Sequence, residues 1–261
     1  MPNEAAAAPG RTAIRGVPAD RPWAWLGAGW RDLMAAPHVG FLYGGALTVA
    51  GWTLLLLLAW LHIFWAVLPV TAGFFILAPL LAAGLQEASR RREAGLPVGL
   101  ADCLSGLSRN GAQLAFMGVI LLLLHLFWVR LAGLVFALFF GGGFTPTLDG
   151  LPLAMLRSRM LLPFLVVGTG LGAGLAAIAF AISAVSIPML VDRKVTAVEA
   201  IIASLRTVAA NPAAMLFWAG LIVVLTAMAM APFFLGLPLV IPLIGHATWH
   251  AYRDLAGREA P

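Results

Sequence analysis

The sequence predicts an all-α membrane protein in which six transmembrane helices form three repeated hairpins, each preceded by a cytoplasmic amphipathic helix. Three observations carry this prediction. The composition is too apolar for water: 62% of residues are hydrophobic, 10% are charged, and the mean hydropathy is +0.97, whereas a soluble domain carries about 25% charged residues. Three loop breakers (Pro37, Asn110-Gly111 and Asn211-Pro212) each end a short amphipathic segment and precede two apolar spans. Basic residues gather in the connectors that such hairpins place on one side of a bilayer.

Residues 1–22 are rich in Ala, Pro and Arg and hold no apolar run. A cleaved secretory signal needs a hydrophobic region of about 7–15 residues, so the stretch reads as a mobile cytoplasmic tail. A single membrane domain is expected over residues 23–255, with a short tail over 256–261. A bilayer core of about 30 Å needs about 20 apolar residues at 1.5 Å each. The first span then runs from Val39 to His62 and the second from Trp65 to Gln86. The third starts at Gln113, the fourth covers Leu161 to Val191, the fifth Ala213 to Ala231 and the sixth Phe234 to Trp249.

Orientation follows from the basic residues. Thirteen of the sixteen lie in the two tails and in the loops Ser89–Asn110 and Asp192–Asn211, and only Arg130, Arg157 and Arg159 lie elsewhere. This bias puts both termini in the cytoplasm and demands an even number of spans. A pI near 10.6 therefore marks topology and anionic lipid rather than nucleic acid. Cys103 is the only cysteine, so neither an intrachain disulfide nor a thiolate cluster can form within one chain.

Apolar sequence continues beyond Arg130 to Phe140, which leaves two readings of the third span. Trp128 and Arg130 sit at the outer interface, with residues 131–140 along the surface up to Gly141-Gly142-Gly143. Alternatively, one long tilted helix carries Arg130 into the bilayer, where a charge is costly and marks function.

Each hairpin is preceded by an amphipathic segment: Trp23–Ala36, Leu100–Arg109 and Ala197–Ala210. In the last, Val198, Ile201, Ile202, Leu205 and Val208 recur at helical spacing, with Glu199, Ser204, Arg206 and Thr207 mostly on the other side. Such a helix lies in the interface with its apolar side toward lipid or the bundle. The returning spans contain Pro79, Pro188 and Pro242 in the related settings Ala-Pro-Leu-Leu, Ile-Pro-Met-Leu and Ile-Pro-Leu-Ile. Each proline kinks its helix and frees a carbonyl that neighbours must satisfy. Trp30-Arg31-Asp32-Leu33 is echoed by Tyr252-Arg253-Asp254-Leu255, an interfacial pattern shared with Asp192, Arg193 and Trp249.

Few constellations carry chemistry. His246 and His250 stand at i and i+4, the spacing that presents two imidazoles on one side to a transition metal or haem iron, with His38 as a possible third ligand. No carboxylate is placed by sequence to orient the rings, and His and Trp also suit a headgroup boundary, so interfacial packing is the expected role and no cofactor is predicted. His62 and His125 fall singly near outer span ends. Gly168, Gly170, Gly172 and Gly174 lack the strand and spacing of a phosphate loop. They are small residues four apart, which allow close helix packing within the bundle or with another subunit. No carboxylate lies mid-membrane, which weighs against ion-coupled transport, and no nucleophile motif is present.

Gly29-Trp30-Arg31-Asp32-Leu33 with Pro37, Pro188-Met189-Leu190-Val191-Asp192-Arg193, Ala200-Ile201 with Ser204 and Asn211-Pro212, and Gly245-His246-Ala247-Thr248-Trp249-His250-Ala251-Tyr252-Arg253 together resemble one family. It is the bacterial predicted integral membrane proteins numbered 2189 in the domain-of-unknown-function series, over about Trp23 to Leu255. The resemblance implies a bacterial inner-membrane location and six spans, and transfers no catalytic residue. Some members are labelled cytochrome c oxidase subunits, but this chain lacks the facing intramembrane histidines of an oxidase core. The expected role is an accessory, assembly or scaffold component of a membrane complex, with which a place beside a respiratory complex is compatible. It would contact lipid and other membrane proteins or a second copy of itself. The alternatives are a transporter of a small or lipidic solute and a metal- or haem-binding protein.

Overall fold

The apolar runs and their breakers become helices, and no strand occurs among the described residues of the computed structural model, which are 14–61, 67–141, 151–232 and 234–256. The helices are α1 (Pro22–Ala35), α2 (Pro37–Trp60), α3 (Val67–Leu81), α4 (Ala83–Glu93), α5 (Leu100–Gly106), α6 (Gly111–Phe140), α7 (Leu151–Leu156), α8 (Leu161–Ser183), α9 (Ser186–Asp192), α10 (Ala197–Ala210), α11 (Pro212–Met230) and α12 (Leu237–Ala256). A 3-10 turn, Leu107–Asn110, joins α5 to α6. His62, Trp65, Gly142, Gly143, Arg11 and Arg258 lie outside the described residues.

Four stretches are long and apolar enough to cross a bilayer: Pro37–Trp60, Leu100–Phe140, Leu161–Asp192 and Pro212–Met230. The second and sixth expected spans do not reach that standard. Helix α3 has 15 residues, about 22 Å of rise. Helix α12 mixes an apolar start with His246, His250, Arg253 and Asp254 and runs on to Ala256, past the expected end at Trp249. Among the described residues the chain thus has four candidate membrane-crossing stretches.

The breakers behave alike. Ala36, Asn110 and Asn211, the residues before α2, α6 and α11, have backbone angles of −139/60, −133/37 and −129/52. Each turns a preceding helix into an apolar one. Asn110 donates its amide to the carbonyls of Arg193 (3.1 Å) and Val195 (3.0 Å) in the α9–α10 connector. Asn211 donates to the carbonyl of Arg15 (3.1 Å) and accepts from the amide of Val17 (2.9 Å), and the Arg15 amide donates to the Leu255 carbonyl (2.9 Å). Residues 15–17, assigned to the tail by sequence, are therefore tied to the bundle because their backbone groups find partners there. At the corresponding place before α2, Ala36 packs against the cluster of Val39, Ala88 and Cys103, as does Val98 of the α4–α5 connector.

Two of the three returning helices break near their prolines, and neighbours fill the gaps. The expected fourth span parts into α8 and α9 at Ala184-Val185, ahead of Pro188. There the Ser204 hydroxyl of α10 donates to the Ala181 carbonyl (2.7 Å) and accepts from the Val185 amide (3.2 Å), standing in for a missing turn bond. The second parts into α3 and α4 at Ala82, after Pro79. The Tyr43 phenol donates to the Leu81 carbonyl, and a Cβ on Gly84 would stand 2.9 Å from the Tyr43 ring. Pro242 lies inside α12 without ending it.

Helix α10 turns its small residues to the bundle. Its buried residues are Ala197, Ala200, Ala203, Ser204 and Thr207, while Val198, Ile202 and Leu205 are exposed. The small residues pack inward because they permit close approach, Ile201 and Val208 lie at the edge of the cores, and the other bulky apolar residues face out. Ser204 and Thr207, on the side away from these, are interior. In the third span α6 is continuous from Gly111 through an exposed Arg130 to Phe140, a rise of about 45 Å.

The cores lie where the helices converge. One gathers Met117, Leu121, Ile187, Leu190, Trp249 and Tyr252, and another Trp25, Trp218, Met215, Ala247 and Leu255. Helix α12 reaches both, and packs on α1, α2 and α4 as well.

Candidate functional site

The described ion pairs share one end of the molecule, built from α1, α4, α5, α9, the turns that follow them, and the last half of α12. Helix α12 is its hub, because its polar side chains emerge at successive positions and each meets a different helix. Gly29 makes this possible: a Cβ there would lie 2.7 Å from the Ala247 nitrogen and 2.9 Å from the Leu243 oxygen, so only glycine lets α1 approach α12.

At the centre stands Asp32 of α1. Its Oδ2 accepts from the Ser89 hydroxyl (2.6 Å) and bonds His250 Nε2 (2.9 Å), and its Oδ1 lies 3.4 Å from Arg92. His246 Nδ1 meets the same Ser89 oxygen at 2.8 Å. Burial would raise the Asp32 pKa, but the bonds from His250 and Ser89 and the nearby imidazoles outweigh it and hold the carboxyl below its usual value. Ser89 and His246 are 2% and 4% exposed.

Further pairs surround this cluster. Glu93 accepts from the Trp249 indole (3.0 Å) and from Arg253 (3.0 Å). The Tyr252 hydroxyl donates to Asp192 (2.7 Å) and accepts from Arg193 (3.0 Å), whose other nitrogen reaches the Ala256 carbonyl. Asp254 accepts from Arg21 (2.6 Å) and the Trp25 indole (2.9 Å). Glu87, wholly buried, is held by Arg90 and Arg109, and a Cβ on Gly106 would collide with it.

The interfacial residues singled out by sequence thus divide. Asp32, Asp192, Arg193, Trp249, Tyr252 and Arg253 form the network, while Trp30 is exposed and Arg31 enters it through its carbonyl, which accepts from Arg92. His250 bonds Asp32, the orienting carboxylate that sequence spacing did not place, and His246 is linked to the same carboxylate through Ser89. His38 is exposed at the start of α2. Among the described residues no three His, Cys, Asp or Glu side chains converge as metal ligands. Ser89 was missed as a site residue. Its place between Asp32 and His246 spans separations of 57 and 157 residues, which no local pattern encodes.

Ser89, His246 and Asp32 are the residue types of a hydrolytic triad, but their order differs. A nucleophilic serine gives its proton to a histidine that a carboxylate orients. Here the serine proton points to the carboxylate, and the site is sealed from solvent. The arrangement locks three helices in register.

Of the glycines in α8, Gly172 faces Trp128 of α6, with a Cβ at 3.0 Å, while Gly168, Gly170 and Gly174 have open space beside them. Pro188 and Pro242 are buried, and Pro79 is partly so. An open cleft of about 420 Å³ borders the polar end, lined by Arg15, Arg21, Trp25, Arg31, His250 and Arg253 among others.

Comparison with curated proteins and with solved structures gives no match. One family model does match, over a narrower stretch than the resemblance read from the sequence; its description names no activity and no oxidase. Residues 67–192, from the start of α3 to the end of α9, match the family described as Predicted integral membrane protein (DUF2189).

Proposed function

We propose that this integral membrane protein is an accessory, assembly or scaffold component of the bacterial inner membrane. In this reading three hairpins cross the bilayer six times and both termini lie in the cytoplasm. The observation that carries the role is the division of the surface. The polar chemistry is spent inward on Asp32, Ser89, His246 and Glu87, which are buried and bonded. The outward faces of α2, α6, α8, α10 and α11 expose Leu56, Leu123, Leu138, Leu162, Val166, Leu205, Leu216 and Met228. Surfaces of that kind meet lipid and other membrane helices.

Six crossings are supported by the matching backbone angles at Ala36, Asn110 and Asn211, by the bonds of Asn110 to the connector that follows α9, and by those of Asn211 to residues 15–17, where the Arg15 amide bonds the last turn of α12. With α3 running on into α4, and α12 completing the third hairpin, the ion-paired end is the cytoplasmic one. Accessibility tags after Arg92 and Lys194 test this: both are shielded in intact cells, and labelling from outside would overturn it. Gentle-detergent purification with crosslinking tests the role. A defined membrane-protein complex or a stable homo-oligomer supports it, and free monomer throughout refutes it.

A second reading is favoured by one observation: Asp32 orients His250, which is what a histidine ligand needs from its surroundings. In that reading His246 and His250 hold a transition metal or haem, at the expense of the bond between His246 and Ser89.

A further inference from the structure

We propose that the cleft between the start of α1 and the end of α12 binds a phosphate-bearing anion, with Arg15 and Arg31 as the cations that recognise it. The charge inventory of the cleft carries the inference. Its lining holds Arg15, Arg21, Arg31, Arg253 and His250 against two carboxylates, Glu93 and Asp254. Both carboxylates are already matched: Asp254 pairs with Arg21 at 2.6 Å and Glu93 with Arg253 at 2.8 Å. His250 turns its Nε2 to Asp32. Among the described residues, no carboxylate lies within ion-pair distance of the Arg15 or Arg31 side chain. The Arg15 guanidinium only adds to the field at Asp254.

Two guanidinium groups facing one open volume beside two neutralised pairs form an anion trap. Guanidinium matches the tetrahedral phosphate through paired N–H donors better than any other side chain. The volume of about 420 Å³ admits a phosphate with a substituent attached.

The position of α1 allows two sources for that phosphate. Trp23, Trp30 and Met34 are exposed and follow one stripe of the helix, as residues at intervals of seven and four do. Ala24 and Arg31 lie about a quarter-turn from it. If the tryptophans sit at headgroup depth, as such residues do, the cleft opens beside the headgroups and toward the aqueous phase. A phospholipid headgroup and a free phosphate share the required chemistry.

The test uses the full chain in nanodiscs and the double variant Arg15→Gln/Arg31→Gln, which leaves the Arg21–Asp254 and Arg253–Glu93 pairs in place. Inorganic phosphate is titrated calorimetrically into protein in phosphatidylcholine discs. Separately, retention of phosphatidylglycerol over phosphatidylcholine is measured by native mass spectrometry. Either ligand should bind the wild type and weaken by about tenfold for each arginine removed, the effect of a lost charge-assisted hydrogen bond. Binding of phosphate identifies a soluble ligand, and selective retention of phosphatidylglycerol identifies a headgroup. Should the double variant fail to fold, Arg31→Glu alone must lower affinity by at least as much. Absence of both ligands, or binding unchanged by these substitutions, overturns the proposal.

Discussion

Replacing Ser204 by alanine isolates the most economical device in the fold. Its hydroxyl, wholly buried, stands in the ladder between Ala181 and Val185 and serves both. Alanine keeps the backbone and helix propensity of α10 but strips a partner from a buried carbonyl and a buried amide. Each group left unpaired costs about 1–3 kcal/mol, so the variant should lose roughly 2–4 kcal/mol after partial relaxation. For a chain of this size that lowers the melting temperature by roughly 5–10 °C. The assay is thermal unfolding in a mild detergent, followed by the far-ultraviolet helix signal. Ser105→Ala serves as control, because Ser105 is exposed and its hydroxyl donates to the Asp102 carbonyl of its own helix. A Ser204→Ala variant within about 1 °C of wild type would refute the reasoning, since it would mean the break at Ala184 closes by itself at a cost below roughly 0.5 kcal/mol.

Asp32→Asn should destabilise by about 1–3 kcal/mol at neutral pH, because the bonds from Ser89 and His250 then lose their charged acceptor. The Asp32 pKa is lowered in the folded state, so its contribution is full above the unfolded value of about 3.9 and fades as pH falls through the folded one. Unfolding followed from pH 7 to pH 3 should show the wild-type advantage shrinking at the acid end, and a constant gap counts against the assignment. Gly29→Val forces α1 off α12, since even a Cβ would lie 2.7 Å from the Ala247 nitrogen. It should cost at least about 2 kcal/mol, whereas Gly170→Ala, with open space beside it, should leave the monomer's melting temperature unchanged; equal effects would refute the contact. Metal analysis and a visible spectrum of purified protein check the histidine pair. The metal-binding reading requires a stoichiometric signal that disappears in His246→Ala/His250→Ala, and an empty spectrum with no bound metal ends it.

Much of this architecture can be read locally. The bounds of α10 follow from its periodicity and from Thr196 and Glu199, which cap it reciprocally. The starts of α2 and α11 follow from Pro37 and Pro212, residues suited to a first helical turn. The breaks in the returning spans were foreshadowed by Pro79 and Pro188, since proline cannot donate to the turn before it. Less could be read of α12. Its histidines suggested a ligand pair at i and i+4, yet their partners come from α1 and α4, far away along the chain.

Composition, period and charge are properties of neighbouring residues, so the sequence by itself determined that this chain is helical, enters a membrane, and collects its arginines near the ends of its apolar runs. Tertiary structure alone decided which face of α10 is buried, that Ser204 mends α8, that Arg15 and Val17 close onto Leu255 and Asn211, and that Asp32, Ser89, His246 and His250 meet. The physical reason is that close packing between helices depends on the shape of both partners. A small residue facing another helix outranks a large apolar one when lipid is ready to receive the latter.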